Sequence, residues 1–194
     1  MNMRMGNSVA TETQRNVVAA VQGAGNMAGA LAEVVNGMFV FALRGARVSG
    51  EQLRDAAAGT ITGAVQGLTQ VGSEPGADSR SIMTGVLRGA RRVGRLAPEL
   101  VEECADTLVR ETYVVGGDVA RAACGAVEGA IDVARETGAS VEAAATTAGR
   151  GAMRGANAIG RSATREVQRM LGAALSGIPA LPGAASGGIP PRTA

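Results

Sequence analysis

The chain has 194 residues, 46% of them apolar, and its 19 basic and 17 acidic side chains leave a net charge of +2. This balance excludes a strong electrostatic attraction to nucleic acid, so we expect no specific nucleic-acid partner. Histidine is absent, which removes the commonest general base and the commonest metal ligand. We therefore predict a protein that is not an enzyme, that needs no cofactor and that has no evident small-molecule substrate.

The N-terminal residues 1–7 are predicted to be flexible. The first residues of the chain contain no apolar stretch of the kind found in secretory signal peptides, so we expect a cytoplasmic location and leave open contact with a membrane or granule surface. From Asn16 to Leu43 the only charged residue is Glu33, and this span is long enough to cross a bilayer. Polar residues interrupt it, and it is rich in Ala and Gly, which insert poorly. A membrane-inserted bundle is therefore one alternative.

Residues 8–177 are organised in rows of 22 that share a pattern. The rows start at residues 19, 41, 63, 85, 107, 129 and 151, and three of them open with GAVQG, GVLRG and GAMRG. Apolar residues within a row recur about every 3.67 residues, which is close to the period of an α-helix. A fixed repeat of this kind is typical of units that bury each other's apolar faces. The sequence predicts an all-α fold of tandem 22-residue helical repeats, arranged as a helical bundle or a short α-solenoid.

The tenth position of a row is expected to end each helix in a short glycine turn. Six rows have glycine there: Gly50, Gly72, Gly94, Gly116, Gly138 and Gly160. Glycine enters the left-handed region at little cost, which suits it to the residue just past a helix end. Asp118 and Ser140 are expected N-caps, and Pro75 and Pro98 fall where a new helix can begin. We expect helices of about 15 to 20 residues.

The two ends of this repeat array depart from the pattern. The first junction, around Ala28, has the weakest break and is compatible with a continuous helix. The last residues, 178–194, contain four prolines among Gly and Ser and are predicted to be a disordered tail.

Small residues at the first and fifth positions of several rows indicate close helix packing. The pairs are Gly63 with Gly67, Gly85 with Gly89, and Gly151 with Gly155. Each glycine inside a helix costs about 1 kcal/mol relative to alanine, so some interaction must compensate for them. Helices that touch backbone to backbone would do so.

Arginine recurs at the fourth position of four rows, as Arg44, Arg88, Arg110 and Arg154. If the helices stack in register, these side chains form a possible interaction stripe that could bind phosphates or an acidic partner. A second interpretation is that they complement the helix dipoles and pair across the turn with acids that begin the next helix. Those acids are Glu51, Glu99, Asp118 and Glu142.

The two cysteines, Cys104 and Cys124, are too far apart in the sequence for a zinc motif. Each lies among Ala and Val in a helical pattern, so we predict buried thiols. No histidine is available to activate either one as a nucleophile.

An amphipathic 22-residue repeat with helix breakers resembles the repeats of the exchangeable apolipoproteins. The segment AAGTITGAVQGLTQVG, residues 57–72, is also similar in texture to the repeat regions of perilipins and synucleins. This resemblance implies a helical coat on a lipid droplet, a storage granule or a membrane. The repeat and the glycine positions themselves favour a non-enzymatic scaffold that associates with other copies, and the coat is the alternative hypothesis.

Overall fold

The structure is a computed structural model that describes residues 3–23, 26–44 and 49–175. These residues form eight α-helices. The helices are α1 (Met3–Gly23), α2 (Met27–Ala42), α3 (Gly50–Gln70), α4 (Pro75–Arg92), α5 (Pro98–Val114), α6 (Val119–Thr137), α7 (Val141–Ile159) and α8 (Arg161–Leu175). The predicted all-α fold is therefore confirmed, and the predicted tail at residues 178–194 lies outside the described residues.

Four of the six predicted glycine turns end a helix in the left-handed conformation. The φ angles are 77° at Gly72, 66° at Gly94, 77° at Gly116 and 70° at Gly138. The expected starts are confirmed as well, since Pro75 and Pro98 are the first residues of α4 and α5. The side chain of Asp118 accepts hydrogen bonds from the backbone at the start of α6, and that of Ser140 does so at the start of α7. At the end of α7, Gly160 has a φ of 143°.

The first part of the chain differs from the prediction in three ways. Helix α1 already begins at Met3, inside the segment that was expected to be flexible. The first junction is a break, because α1 ends at Gly23 and the side chain of Asn26 caps α2. Gly50 begins a helix instead of ending one, since α2 has already ended at Ala42 and the side chains of Ser49 and Gln52 cap α3 reciprocally. Polar side chains with local backbone bonds thus outweigh the row pattern here.

Each helix packs most closely on the helix two places away in the chain, so the helices form two layers. The odd layer contains α1, α3, α5 and α7, and the even layer contains α2, α4, α6 and α8. Among the described residues, helices in contact are always one or two places apart. The first and last helices therefore do not meet, and the two layers form a helical bundle, which we call the stack.

Helices within a layer run parallel, whereas successive helices reverse direction. In the odd layer, Gly59 faces Gly6 near the start of α1, and Gly67 faces Val17 further along it. The start of α6 lies beside the start of α4, where the Asp118 N–H donates to Glu74 Oε1 at 3.1 Å. Gly117, which follows the end of α5, also lies against Glu74, so α5 runs opposite to α4.

The predicted glycine pairs lie where two parallel helices approach most closely. A Cβ built on Gly85 would lie 2.6 Å from the carbonyl oxygen of Ala32 and 2.8 Å from Cβ of Val35. Cβ atoms built on Gly63 and Gly151 would likewise run into the backbones of α1 and α5. Each glycine pair therefore fits a helix onto the carbonyl oxygens of the helix two places before it. We call this arrangement the glycine contact.

Helix α5 lacks the glycine pair, and its contact with the helix two places before it is smaller. Its row has Thr107 and Glu111 at the two small positions, and its contact with α3 is less extensive than that of α3 with α1.

The larger side chains of the third row position, such as Val65, Leu87 and Val109, are fully buried in the core. Burying one such side chain contributes about 1.5–3 kcal/mol.

Candidate interaction surfaces

The four arginines of the predicted stripe divide into two pairs. Arg44 follows α2 and Arg88 lies in α4, both in the even layer, whereas Arg110 and Arg154 lie in α5 and α7 of the odd layer. Because successive helices run antiparallel, the last turns of the two layers lie at opposite ends of the stack. The structure therefore does not bring the four side chains together on one face.

Arg88 pairs with an acid on the helix two places away and not across a turn. Its Nε donates to Glu136 Oε2 at 3.1 Å, and its Nη2 donates to the other oxygen of the same carboxylate. This hydrogen bonding, more than the attraction between the charges, holds the pKa of Glu136 below its usual range. Arg88 and Glu136 thus connect α4 to α6 beside the glycine contact.

Arg154 does the same for α5 and α7, with several acids at once. Its guanidinium lies 2.7 Å from Glu102 Oε1, 3.2 Å from Glu103 Oε2 and 3.4 Å from Asp106 Oδ2. Asp106 is almost fully buried, and a buried carboxylate is costly unless it is paired. Arg154 therefore stabilises the packing of α7 on α5 by pairing with these acids.

The other two arginines, Arg110 and Arg44, are exposed and less engaged in ion pairs. Arg110 is exposed and lies 3.9 Å from Asp106 in the same helix. Arg44 is exposed and forms no ion pair with any described residue. An interaction role for these two stays a prediction.

The sequence reasoning missed a further ion pair of the same kind. Arg80 on α4 donates to both carboxylate oxygens of Asp132 on α6, at 2.6 and 2.9 Å. At the starts of the same helices, Arg121 lies 3.6 Å from Glu74. Arg80 and Asp132 lie 22 residues before Glu102 and Arg154, so these two ion pairs occupy the same row positions with the charges exchanged. The repeat relates them once the helices two places apart are known to pack together.

The cysteines are shielded from solvent to different degrees. Cys104 is fully buried, and this burial raises the pKa of its thiol strongly. Cys124 is half-buried, and the pKa of its thiol is also raised, mainly by desolvation and further by Glu128. The prediction of a buried thiol is confirmed for Cys104. Within the described part of the chain, no group of His, Cys, Asp and Glu side chains could hold a metal ion.

At the N-terminal end of the stack, the outer face of α2 is uncovered. Phe41 opens its row as Gly85 opens the row two places later, yet its side chain is 61% exposed. A Cβ built on Gly37 would meet no atom within 4 Å. Met27, on the same helix, is also exposed. Exposed aromatic and small residues on one helix give this end an apolar face, which we call the head.

At the C-terminal end, a groove of about 670 Å³ runs between α7 and α8. Its wall includes Ala145, Gly149 and Met153 from α7 and Leu171 and Gly172 from α8. Ala145 and Gly149 occupy the row positions of Val35 and Phe39, which receive the glycine pair of α4 on α2. Ala145 is buried and Gly149 is partly exposed. We call this groove the tail groove, because it lies at the C-terminal end of the stack beside positions that receive a glycine pair elsewhere.

None of the described helices is both long enough and apolar enough to cross a membrane. The chain is not detectably similar to any protein-family model or to any curated protein.

Proposed function

We propose that this chain is a non-enzymatic scaffold whose copies stack end to end. The observation that carries the proposal is the recurrence of one contact in four of the six helix pairs within the two layers of the described structure. The glycine contact joins α1 to α3, α2 to α4, α4 to α6 and α5 to α7. In the tail groove one receiving position is open, since a Cβ built on Gly149 would meet no atom within 4 Å. The head has Phe41 at the position of Gly85, and in the proposal this side chain of a second copy fills the groove.

The head and the tail groove differ from each other, which makes the proposed interface heterologous. Such interfaces close into rings or continue as filaments, and an apolar side chain entering a groove on the next copy is enough to start them. Phe41 is the side chain suited to this role, because it is aromatic, exposed and placed on the head. Arg150 also lines the tail groove, and although its Nε lies 3.9 Å from Glu102 it is exposed, so it offers Glu12 or Glu33 of the incoming copy a charged partner.

The coat hypothesis needs apolar helix faces that are free to contact lipid. In the described structure these faces are buried between helices, and the residues of the third row position fill the core. The stacking proposal uses only the surface that folding leaves exposed, so we favour it.

The test measures the weight-average mass of the full chain by sedimentation over a wide range of protein concentrations. We expect the mass to rise with concentration, and we expect Phe41→Ser to suppress this rise. Tyr113→Ser is the matched control, because Tyr113 is a comparably exposed aromatic residue away from both ends. A strictly monomeric wild-type chain at high concentration would overturn the proposal, as would equal effects of the two substitutions.

A mixing experiment distinguishes end-to-end stacking from other association. Gly149→Leu fills the tail groove, and Phe41→Ser damages the head. Each variant alone keeps one intact end and should remain monomeric. Mixed together they should form a dimer and nothing larger, because the intact groove of one accepts the intact head of the other. A mixture that stays monomeric, or that forms long assemblies, contradicts the head-to-tail arrangement.

A further inference from the structure

A separate pocket lies inside the stack, away from the head and the tail groove. It has a volume of about 270 Å³ and lies between the α4–α5 and α6–α7 turns. Small or apolar side chains form most of its wall, among them Leu87, Val101, Ala130, Ala134 and Ala144. The pocket is open to solvent, since Leu96, Pro98 and Ala143 of its wall are exposed.

The repeat shows how the pocket arises. Its wall contains Ala97 and Ala144, whereas the positions two rows earlier hold Leu53 and Leu100. Leu100 is buried and Leu53 is partly buried, so leucines contribute to the core at the earlier positions. The pocket thus lies where the later rows have two alanines in place of leucines.

One polar side chain in the pocket wall has no partner. Thr147 is only 8% exposed, lines the pocket and forms no side-chain hydrogen bond within the described structure. The hydroxyl groups nearby are used locally, since Thr137 donates to backbone carbonyl oxygens of α6 and Ser140 caps α7. Its hydroxyl oxygen is accessible to solvent, which makes Thr147 available to a bound molecule.

The mouth of the pocket favours a negative charge. Helix α5 starts there, and its N-cap residue Ala97 provides no side-chain hydrogen bond. Helices α5 and α7 run parallel, with Gly151 of α7 against Glu102 of α5. One turn earlier on each helix, Thr147 therefore lies beside Pro98, at the start of α5. A helix N-terminus attracts anions. One exposed arginine, Arg95, directly precedes Leu96 of the pocket wall.

We infer that this pocket binds a small aliphatic carboxylate, with its hydrocarbon chain among the alanines and its carboxylate at the start of α5 beside Thr147. The volume supports a chain of modest length, because a cavity of about 150 Å³ already holds benzene and drug-sized sites begin at about 300 Å³. The Thr147 hydroxyl donates to the carboxylate, which satisfies both groups.

The experiment titrates octanoate into the full-length protein by isothermal titration calorimetry and compares it with 1-octanol, which has the same chain without the charge. We expect octanoate to bind and Ala144→Leu to weaken binding by about tenfold or more, since leucine fills the space of the ligand. Thr147→Val should weaken octanoate binding while leaving octanol binding unchanged. Ala158→Leu is the control, because Ala158 lies on the exposed side of α7 and its substitution should change neither affinity.

Ala97→Leu provides a second filled pocket if Ala144→Leu fails to fold. The inference is overturned if the wild-type protein does not bind octanoate, or if both filled variants bind it as tightly as the wild type. Octanol that binds as tightly as octanoate overturns the assignment of a carboxylate.

Discussion

Alanine substitutions at two glycines, one inside a glycine contact and one outside it, separate the packing effect from the helix-forming effect. In Gly85→Ala the new methyl group would lie 2.6 Å from the Ala32 carbonyl oxygen, so α2 and α4 must move apart. In Gly37→Ala the methyl group meets no atom within 4 Å. Both changes remove a glycine from a helix, which stabilises a helix by about 1 kcal/mol. Overpacking a close contact costs about 1–3 kcal/mol, and only Gly85→Ala incurs this cost.

We therefore expect Gly37→Ala to raise the free energy of unfolding by about 1 kcal/mol and Gly85→Ala to leave it unchanged or lower it by up to about 2 kcal/mol. The difference between the two variants is the packing term. Urea unfolding followed by far-ultraviolet circular dichroism, at protein concentrations too low for association, measures both values. Equal stabilisation by the two substitutions would refute the close approach of α2 and α4.

Three further predictions concern charge and thiol chemistry. Arg88 lowers the pKa of Glu136, so this pair stabilises the fold above the ordinary carboxyl range and the contribution is lost as the pH falls through the lowered pKa. Urea midpoints should therefore drop less between about pH 7 and about pH 3 in Glu136→Gln than in the wild type. Arg154→Ala should cost about 1–3 kcal/mol in the same assay, more than the loss of an exposed arginine, because a nearly buried carboxylate loses its partner; a cost near zero would contradict this. A thiol-specific reagent should label Cys124 slowly and Cys104 only after unfolding, and rapid labelling of both in the folded protein would show that Cys104 is not buried.

Much of the fold could be predicted because each local signal agrees with the repeat. The spacing of apolar residues specifies helices, and Gly72, Gly94 and Gly116 end them because the left-handed conformation disfavours other residues. The start of α2 escaped prediction because the side chain of Asn26, which bonds to the Gly29 N–H at 3.2 Å, acts at a position that the row pattern does not mark.

The pairing of helices could not be predicted in the same way. Gly85 and Gly89 indicate that one face of α4 lies against a backbone, but they carry no information on which helix supplies it. The ion pairs depend on which helices pack together. Glu136 could be identified as the partner of Arg88 only when the structure showed that α4 lies beside α6. The exposure of Phe41 likewise depends on its helix having no helix on its outer side.

The contacts between helices only one or two places apart have a consequence for how the molecule folds and how its length could change. Relative contact order is low in such a chain, so we expect rapid folding that can nucleate in more than one region and spread to neighbours. A duplicated pair of rows would find its receiving surface already built by the pair before it. The gene could therefore lengthen or shorten by whole helical hairpins, and each product would keep a head at one end and a tail groove at the other.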